Sequence, residues 1–179
     1  MKQKLYIIKI GGNVVDSPET LRPFLESFAA LKGRKILFHG GGKIATQVAE
    51  KLGIPTEMVE GRRITDHAML DVVTMVYGGL VNKNIVATLQ TIGVNAIGLT
   101  GADANIIRAR KRPVNETVEP VINYGFVGDV EAVNTKQLIA FLKTGLVPLI
   151  APLTFDYTGG TMLNTNADTM ASTVAVALS

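Results

Sequence analysis

Two glycine-rich turns, Lys9-Ile10-Gly11-Gly12 and His39-Gly40-Gly41-Gly42, offer chemistry. Each follows a short apolar run, so each emerges at the carboxyl end of a strand, where open α/β sheets bind ligands. Glycine lets backbone N–H groups approach a ligand closely, and N–H groups at a helix start favour phosphate or carboxylate. A tight strand-to-helix turn would ask for the same glycines; their repetition is what points to an anion. Lys9 closes an otherwise apolar strand, where a charge is unfavourable unless something anionic meets it. In Glu60-Gly61-Arg62-Arg63-Ile64-Thr65, one of the two arginines could hold a carboxylate bidentately. Asn164-Thr165-Asn166-Ala167-Asp168 opens a helix with more carboxamide and carboxylate than capping requires. His39 has only His67 as a companion, at no metal-ligand spacing, and reads as a structural histidine.

The elements that must position these groups follow from the apolar periodicity. β-Branched runs alternate with helical-period segments, the signature of βαβ units around a mainly parallel sheet. Strands are predicted at 5–10, 35–39, 94–99 and 147–150. Ser17-Pro18-Glu19 opens a helix burying Leu21, Phe24, Leu25, Phe28 and Leu31, which Gly33 ends. Ile44, Val48 and Leu52 mark a helix closed by Gly53 and Pro55. A helix over 66–89, capped by Asp66, is apolar on more than one face and carries Gly78-Gly79 in its middle. Paired glycines there suggest a close crossing, against a second subunit or against the chain's own sheet. Between 101 and 133 the pattern loosens into hairpin arms at 106–109 and 124–127 around a polar tip. Thr135 caps a helix to Lys143, and the last helix starts near Asn166. It reaches Ser179 without a stop signal, so the chain is expected to be part of something longer.

Composition narrows the function classes. Eighteen Lys and Arg against 15 Asp and Glu leave a net charge of +3, too little to argue for a nucleic-acid partner. The run Arg108-Ala109-Arg110-Lys111-Arg112 lacks interleaved aromatics and reads as a solvated hairpin tip. With no cysteine there is no disulfide, thiolate metal site or thiol nucleophile, and a cytoplasmic setting is expected. Lys9 and the glycines after it interrupt the first apolar run too early for a signal sequence. The longest apolar stretch, 146–155, contains two prolines and falls short of the roughly 20 residues that cross a bilayer, so no membrane span is expected. Nucleotide motifs are ambiguous. Gly40-Gly41-Gly42-Lys43-Ile44-Ala45 fits G-x-G-x-x-A with Glu60 twenty residues on, yet this Rossmann reading leaves Lys9, Gly11 and Gly12 without a role. No G-x-x-x-x-G-K-[ST] occurs, so ATP, if used, is held another way.

Taken together, the motifs resemble the amino-acid kinase family, and within it the N-acetylglutamate kinase branch. To those already named, Gly98-Leu99-Thr100-Gly101-Ala102-Asp103 and Gly125-Phe126-Val127-Gly128-Asp129-Val130 add to a match that runs nearly end to end. The glycine turns occur across the family; the Gly-x-Arg-x-Thr and Asn-x-Asn-Ala-Asp patterns in this order belong to the acetylglutamate branch. The resemblance implies a carbamate kinase-like fold, a three-layer αβα sandwich, with residues 1–179 forming the acylglutamate-binding and dimerisation domain. It implies transfer of the ATP γ-phosphoryl group to the side-chain carboxylate of N-acetyl-L-glutamate or a related N-acyl-L-glutamate, in arginine biosynthesis, without a covalent enzyme intermediate. By this match Lys9 neutralises the transferring phosphoryl group, and Gly11, Gly12, Gly41 and Gly42 offer N–H groups to phosphate and carboxylate oxygens. Arg63 holds the substrate's α-carboxylate, Asn164 binds its main-chain portion, and Asp168 positions the lysine. Mg2+ would accompany ATP, with no metal held by the protein alone.

The resemblance further implies a homodimer through the 66–89 helix. It implies insensitivity to arginine, because no helix precedes Lys9. The family's nucleotide-binding half would follow Ser179, so these residues alone are expected to have negligible kinase activity. The rival readings are another amino-acid kinase, such as glutamate 5-kinase or carbamate kinase, or a non-catalytic acyl-amino-acid-binding module.

Overall fold

The apolar runs that read as buried strands form the centre of the molecule. The computed structural model describes residues 4–114, 116 and 121–179. In chain order the first half comprises β1 (Leu5–Ile10), α1 (Gly12–Val15), α2 (Pro18–Ala30), β2 (Arg34–His39), α3 (Gly42–Lys51), the short β3 (Met58–Val59) and β4 (Arg62–Arg63), and α4 (His67–Val73). A π-helical stretch, Thr74–Val81, joins α4 to α5 (Asn82–Thr91). There follow β5 (Ala96–Leu99), β6 (Ile107–Lys111), β7 (Gly128–Val133), α6 (Thr135–Lys143), β8 (Val147–Ile150), β9 (Leu153–Asp156), β10 (Met162–Asn164) and α7 (Ala167–Ala177).

The central sheet has the order β1-β2-β8-β5, with every pairing parallel. Successive side chains of a strand leave opposite faces, so Leu37 and Leu149 pack with Leu25, Phe28, Val72 and Ile85 of α2, α4 and α5. Ile36, Phe38 and Ile150 pack with Leu138, Leu142, Met170 and Val174 of α6 and α7. Covering both faces produces the expected three layers and explains why these strands read as continuous apolar runs.

A second, mixed sheet of order β10-β9-β6-β7 departs from the sequence reading. The stretch 146–155 divides at Pro152, which has no N–H to continue a ladder, and its second part becomes β9. β6 does pair antiparallel, but with Gly128–Val133 rather than 124–127. Residues 124–127 instead stitch two distant segments together. Thr65 N–H donates to Tyr124 O at 3.0 Å, Phe126 N–H to Thr65 O at 2.7 Å, and Asn164 N–H to Phe126 O at 2.9 Å. The tip expected between the arms includes 115 and 117–120, which lie outside the described residues.

The basic run is not a bare solvated tip. Arg108 lies over Tyr157 at 4.8 Å, Lys111 over Phe126 at 4.4 Å and Arg112 over Tyr124 at 5.4 Å, and Arg112 also pairs with Asp129. The aromatics come from other segments, so the local sequence did not contain them. The cap of α6 is Asn134, which accepts from Gln137 N–H at 3.1 Å, not Thr135.

The helix His67–Thr91 is capped by Asp66 as expected, with Met69 N–H donating to its carboxylate at 2.8 Å. By length and composition it is apolar enough to cross a membrane, yet Met69, Val72, Val73, Val76, Ile85 and Leu89 are buried against the sheet. Gly78 faces the chain's own β9, where an added Cβ would lie 3.4 Å from Leu153 Cδ1; Gly79 faces open space.

A buried polar pair locks this helix to the sheet. His39 is fully buried, its Nδ1–H donates to Gly40 O at 2.7 Å, and its Nε2 accepts from Asn82 Nδ2 at 3.1 Å. Asn82 also donates to Leu149 O at 3.1 Å and fills the space over Gly98, where any Cβ would fall 2.0 Å from its Oδ1. Burial drives the His39 pKa down from 6.5 to about 4, so folding requires the neutral ring. The folded state then binds fewer protons than the unfolded state between those values, and stability falls as pH falls. We expect stability to be full above pH 6.5 and to decline toward pH 4 by about 3 kcal/mol from this group. Urea denaturation across that range checks it: His39→Gln should be weaker at pH 7 and show a shallower acid loss, whereas an equal slope in both proteins would assign the loss elsewhere.

Candidate active site

β1 and β2 are adjacent and parallel, with Ile10 opposite His39, so their glycine turns emerge side by side. Gly40 N–H donates to Ile10 O at 3.0 Å, and a Cβ on Gly40 would lie 3.6 Å from the amide nitrogen of Gly12. Gly11 precedes α1 and Gly41 precedes α3, and neither has a side chain with which to cap the helix start. The first-turn amides are left for a ligand. Gly41 has φ +146°, and a Cβ there would press on the Tyr77 ring at 3.3 Å.

The charged groups converge on these turns. Lys9 Nζ lies 2.9 Å from Asp168 Oδ2 in the first turn of α7, and a Cβ on Gly11 would be 3.7 Å from the same ammonium. Lys9, Gly12, Gly41 and Gly42 line a cleft of about 230 Å³, and Arg63, Asn164 and Asp168 complete the predicted set along its wall. Gly11 supports this cleft from beneath Lys9 without lining it. Asn164 Nδ2 donates to Thr65 Oγ1 at 3.0 Å, and among the described residues nothing donates to its side-chain carbonyl oxygen, an acceptor.

Arg63 is buried, and its surroundings qualify the bidentate expectation. Nη2 donates to Gly42 O and Thr46 Oγ1, both at 2.9 Å, and Nη1 donates to Thr56 Oγ1 at 3.3 Å and approaches Met69 Sδ at 3.9 Å. A guanidinium has five N–H bonds in a fixed fork. Among the described residues only the Nε–H has no partner, so from where it stands Arg63 offers an anion one hydrogen bond and its full charge.

Sequence reasoning missed Tyr77, Met58, Val127, Pro152 and Thr165, which also line the cleft, as does Arg62. Tyr77 lies inside an apolar helical pattern and reads as core; only the position of Gly41 reveals its role. The Rossmann reading fails on geometry. Glu60, at φ +50°, is exposed in the separate β3–β4 hairpin and accepts from Tyr124 Oη at 3.3 Å, far from the role of an acid at the end of a neighbouring central strand.

A backbone test separates the two neighbouring glycines. Gly41→Ala combines a left-handed φ with ring contact and should cost about 1–3 kcal/mol of stability. Gly42→Ala places its Cβ 3.9 Å from Arg63 Nη2 and 4.0 Å from Tyr77 Oη, ordinary contact, and should leave stability within about 0.5 kcal/mol. Thermal unfolding of both variants checks this; equal melting temperatures would contradict it.

The chain is similar to known proteins over nearly its whole length. The pattern of the amino acid kinase family matches residues 4–179. Acetylglutamate kinase from Cytophaga hutchinsonii is 61% identical over 176 residues, covering 98% of this chain and 65% of that protein. A solved structure from Streptococcus mutans UA159 superposes with TM-score 0.78 at 28% identity, over 97% of this chain and 68% of that one. N-acetylglutamate synthase from Neisseria gonorrhoeae, complexed with coenzyme A and N-acetyl-glutamate, superposes with TM-score 0.80 at 23% identity, over 97% of this chain and 39% of that one. That likeness shows the fold alone. The chain spans about two thirds of the length of the curated relatives it matches. A parallel sheet with paired glycine turns at its carboxyl edge, a lysine–aspartate pair over them and a family match along almost every residue lead to one conclusion: the chain belongs to the amino acid kinase family.

Proposed function

We propose that this chain forms the acylglutamate-binding part of an acetylglutamate kinase, which transfers the ATP γ-phosphoryl group to the side-chain carboxylate of N-acetyl-L-glutamate or a related N-acyl-L-glutamate. The observation that carries the reading is one cleft in which Lys9 stands beside the glycine turns and the buried Arg63 stands behind Gly42, two cations held in different ways. Phosphoryl transfer between two anions is mostly positioning and charge neutralisation. Lys9 neutralises the transferring group, and Asp168 fixes the ammonium through their 2.9 Å contact. Amides of Gly11, Gly12, Gly41 and Gly42 hold phosphate and carboxylate oxygens. Arg63 faces the α-carboxylate, and the free Asn164 carbonyl accepts the substrate's amide N–H.

Mg2+ would arrive with the nucleotide and supply charge neutralisation to its phosphates. The donor set fits that arrangement, because among the described residues the one carboxylate lining the cleft, Asp168, is engaged with Lys9. The reading implies a cytoplasmic enzyme of arginine biosynthesis. It also includes a homodimer through the helix His67–Thr91. Met75 and Leu80 on that helix are about half exposed, and Leu80, Val81 and Ile85 border an apolar groove of about 450 Å³.

Calorimetric titration with N-acetyl-L-glutamate tests the substrate class. The chain should bind it, and Arg63→Lys, which loses the planar fork, should bind at least about tenfold more weakly. N-succinyl-L-glutamate as a second ligand identifies the acyl group by its relative affinity. Absence of binding to either ligand would contradict the reading. For the dimer, sedimentation equilibrium should give twice the chain mass at micromolar concentration and the monomer mass for Leu80→Asp; a monomeric unsubstituted chain would contradict it.

A further inference from the structure

The π-helical stretch Thr74–Val81 lies directly under the glycine turn, and its geometry has a purpose. Asn82 N–H bonds back to Tyr77 O, five residues earlier, in the wide-turn pattern. In an α-helix at 3.6 residues per turn, residues five apart point about 140° away from each other. The wider turn brings them to one side. Asn82 meets His39 at the end of β2, while Tyr77 meets Gly41 two residues further along the same turn. Without the inserted residue, one of these contacts would be lost.

Tyr77 is 5% exposed, and its ring is held against Gly41. Its hydroxyl faces the cleft and, among the described residues, no side-chain or backbone acceptor receives its proton. The phenol oxygen also meets the Arg63 guanidinium, so what the hydroxyl lacks is an acceptor for its own proton. The position that a Cβ on Gly42 would occupy is 4.0 Å from Tyr77 Oη and 3.9 Å from Arg63 Nη2, so the phenol and the guanidinium converge on one small volume. Both Nη2 protons of Arg63 are already given to Gly42 O and Thr46 Oγ1. Arg63 therefore brings charge to that volume, with few protons to spare. Burial raises the Tyr77 pKa, against the opposing pull of Arg63; the hydroxyl is a proton donor at neutral pH and not a base.

We propose that Tyr77 is a substrate-binding residue whose hydroxyl donates to the same ligand carboxylate that Arg63 neutralises, the α-carboxylate of the acylglutamate. The contact rests on the acylglutamate reading above. The π-helical stretch is the device that delivers it.

The test is calorimetric titration of the chain and of Tyr77→Phe with N-acetyl-L-glutamate and with its α-carboxamide, N-acetyl-L-isoglutamine. The phenylalanine ring keeps the packing under Gly41, so the unliganded melting temperature should change little. Loss of a hydrogen bond to a charged group should weaken N-acetyl-L-glutamate binding about tenfold. The α-carboxamide should bind the two proteins alike, whether weakly or not at all. Equal affinity of both proteins for N-acetyl-L-glutamate would overturn the contact while leaving the substrate reading intact, as would an equal tenfold loss with the α-carboxamide. An unsubstituted chain that binds no N-acetyl-L-glutamate would overturn the substrate reading and this contact with it. As a second measurement, the tyrosine Cζ resonance missing from Tyr77→Phe should shift when N-acetyl-L-glutamate saturates the unsubstituted chain; a stationary resonance overturns the contact.

Discussion

A guanidinium buried at 7% exposure must be surrounded by acceptors, and much of the cleft is organised around meeting that demand for Arg63. Its four partners come from three places: the carbonyl of Gly42 and the hydroxyl of Thr46 in α3, Thr56 in the following loop, and the Met69 thioether in α4. These contacts fix the start of α3, whose uncapped amides border the cleft, relative to the helix that carries Tyr77. The same charge that holds the wall together supplies the field for an anion. Among the described residues its acceptors are all neutral, and a buried cation so placed is stabilised further when an anionic ligand arrives.

The opposite wall is built on a different principle. Lys9 is only partly buried and has a carboxylate partner, Asp168, on the first turn of α7. An ammonium on a flexible stem can follow a moving phosphoryl group in a way that the braced guanidinium cannot. Between the walls, Phe126 and Asn164 cross-link Thr65 to β10 through backbone hydrogen bonds, so the arginine turn and the asparagine strand keep their spacing. Phe126 is itself held between His67, whose ring centroid is 4.3 Å away, and Lys111. One wall is rigid and one adjustable, a division suited to holding one end of a substrate while the other reacts.

Much of this was legible in the sequence because it is local. A lysine at the end of an apolar strand, glycines after it, and Asn166 at a helix start are each decided within a few residues, and Lys9, the glycines, Arg63, Asn164 and Asp168 do meet around one cleft. What escaped depends on partners far along the chain. β9 continues the apolar run before it with only Pro152 to mark the break, and β10, past the glycine turn at 159–160, is three residues long. The arm expected at 124–127 pairs instead with Thr65 and Asn164, a choice made by segments about 40 to 60 residues away. The π-helical stretch left no mark on the apolar pattern, since Val76, Tyr77 and Val81 read as helix core in either register. Thr46 and Thr56 look like ordinary polar residues until the Arg63 fork is placed between them.

A crystal structure of the chain with N-acetyl-L-glutamate bound tests the two-wall arrangement most directly. The α-carboxylate should sit within hydrogen-bonding distance of Arg63 and Tyr77, the acyl amide N–H against the Asn164 carbonyl, and the side-chain carboxylate beside the glycine turns on the Lys9 side. A ligand bound in the reverse direction, with its side-chain carboxylate at Arg63, or seated in the apolar groove beside Leu80, would contradict the assignment of the two cations.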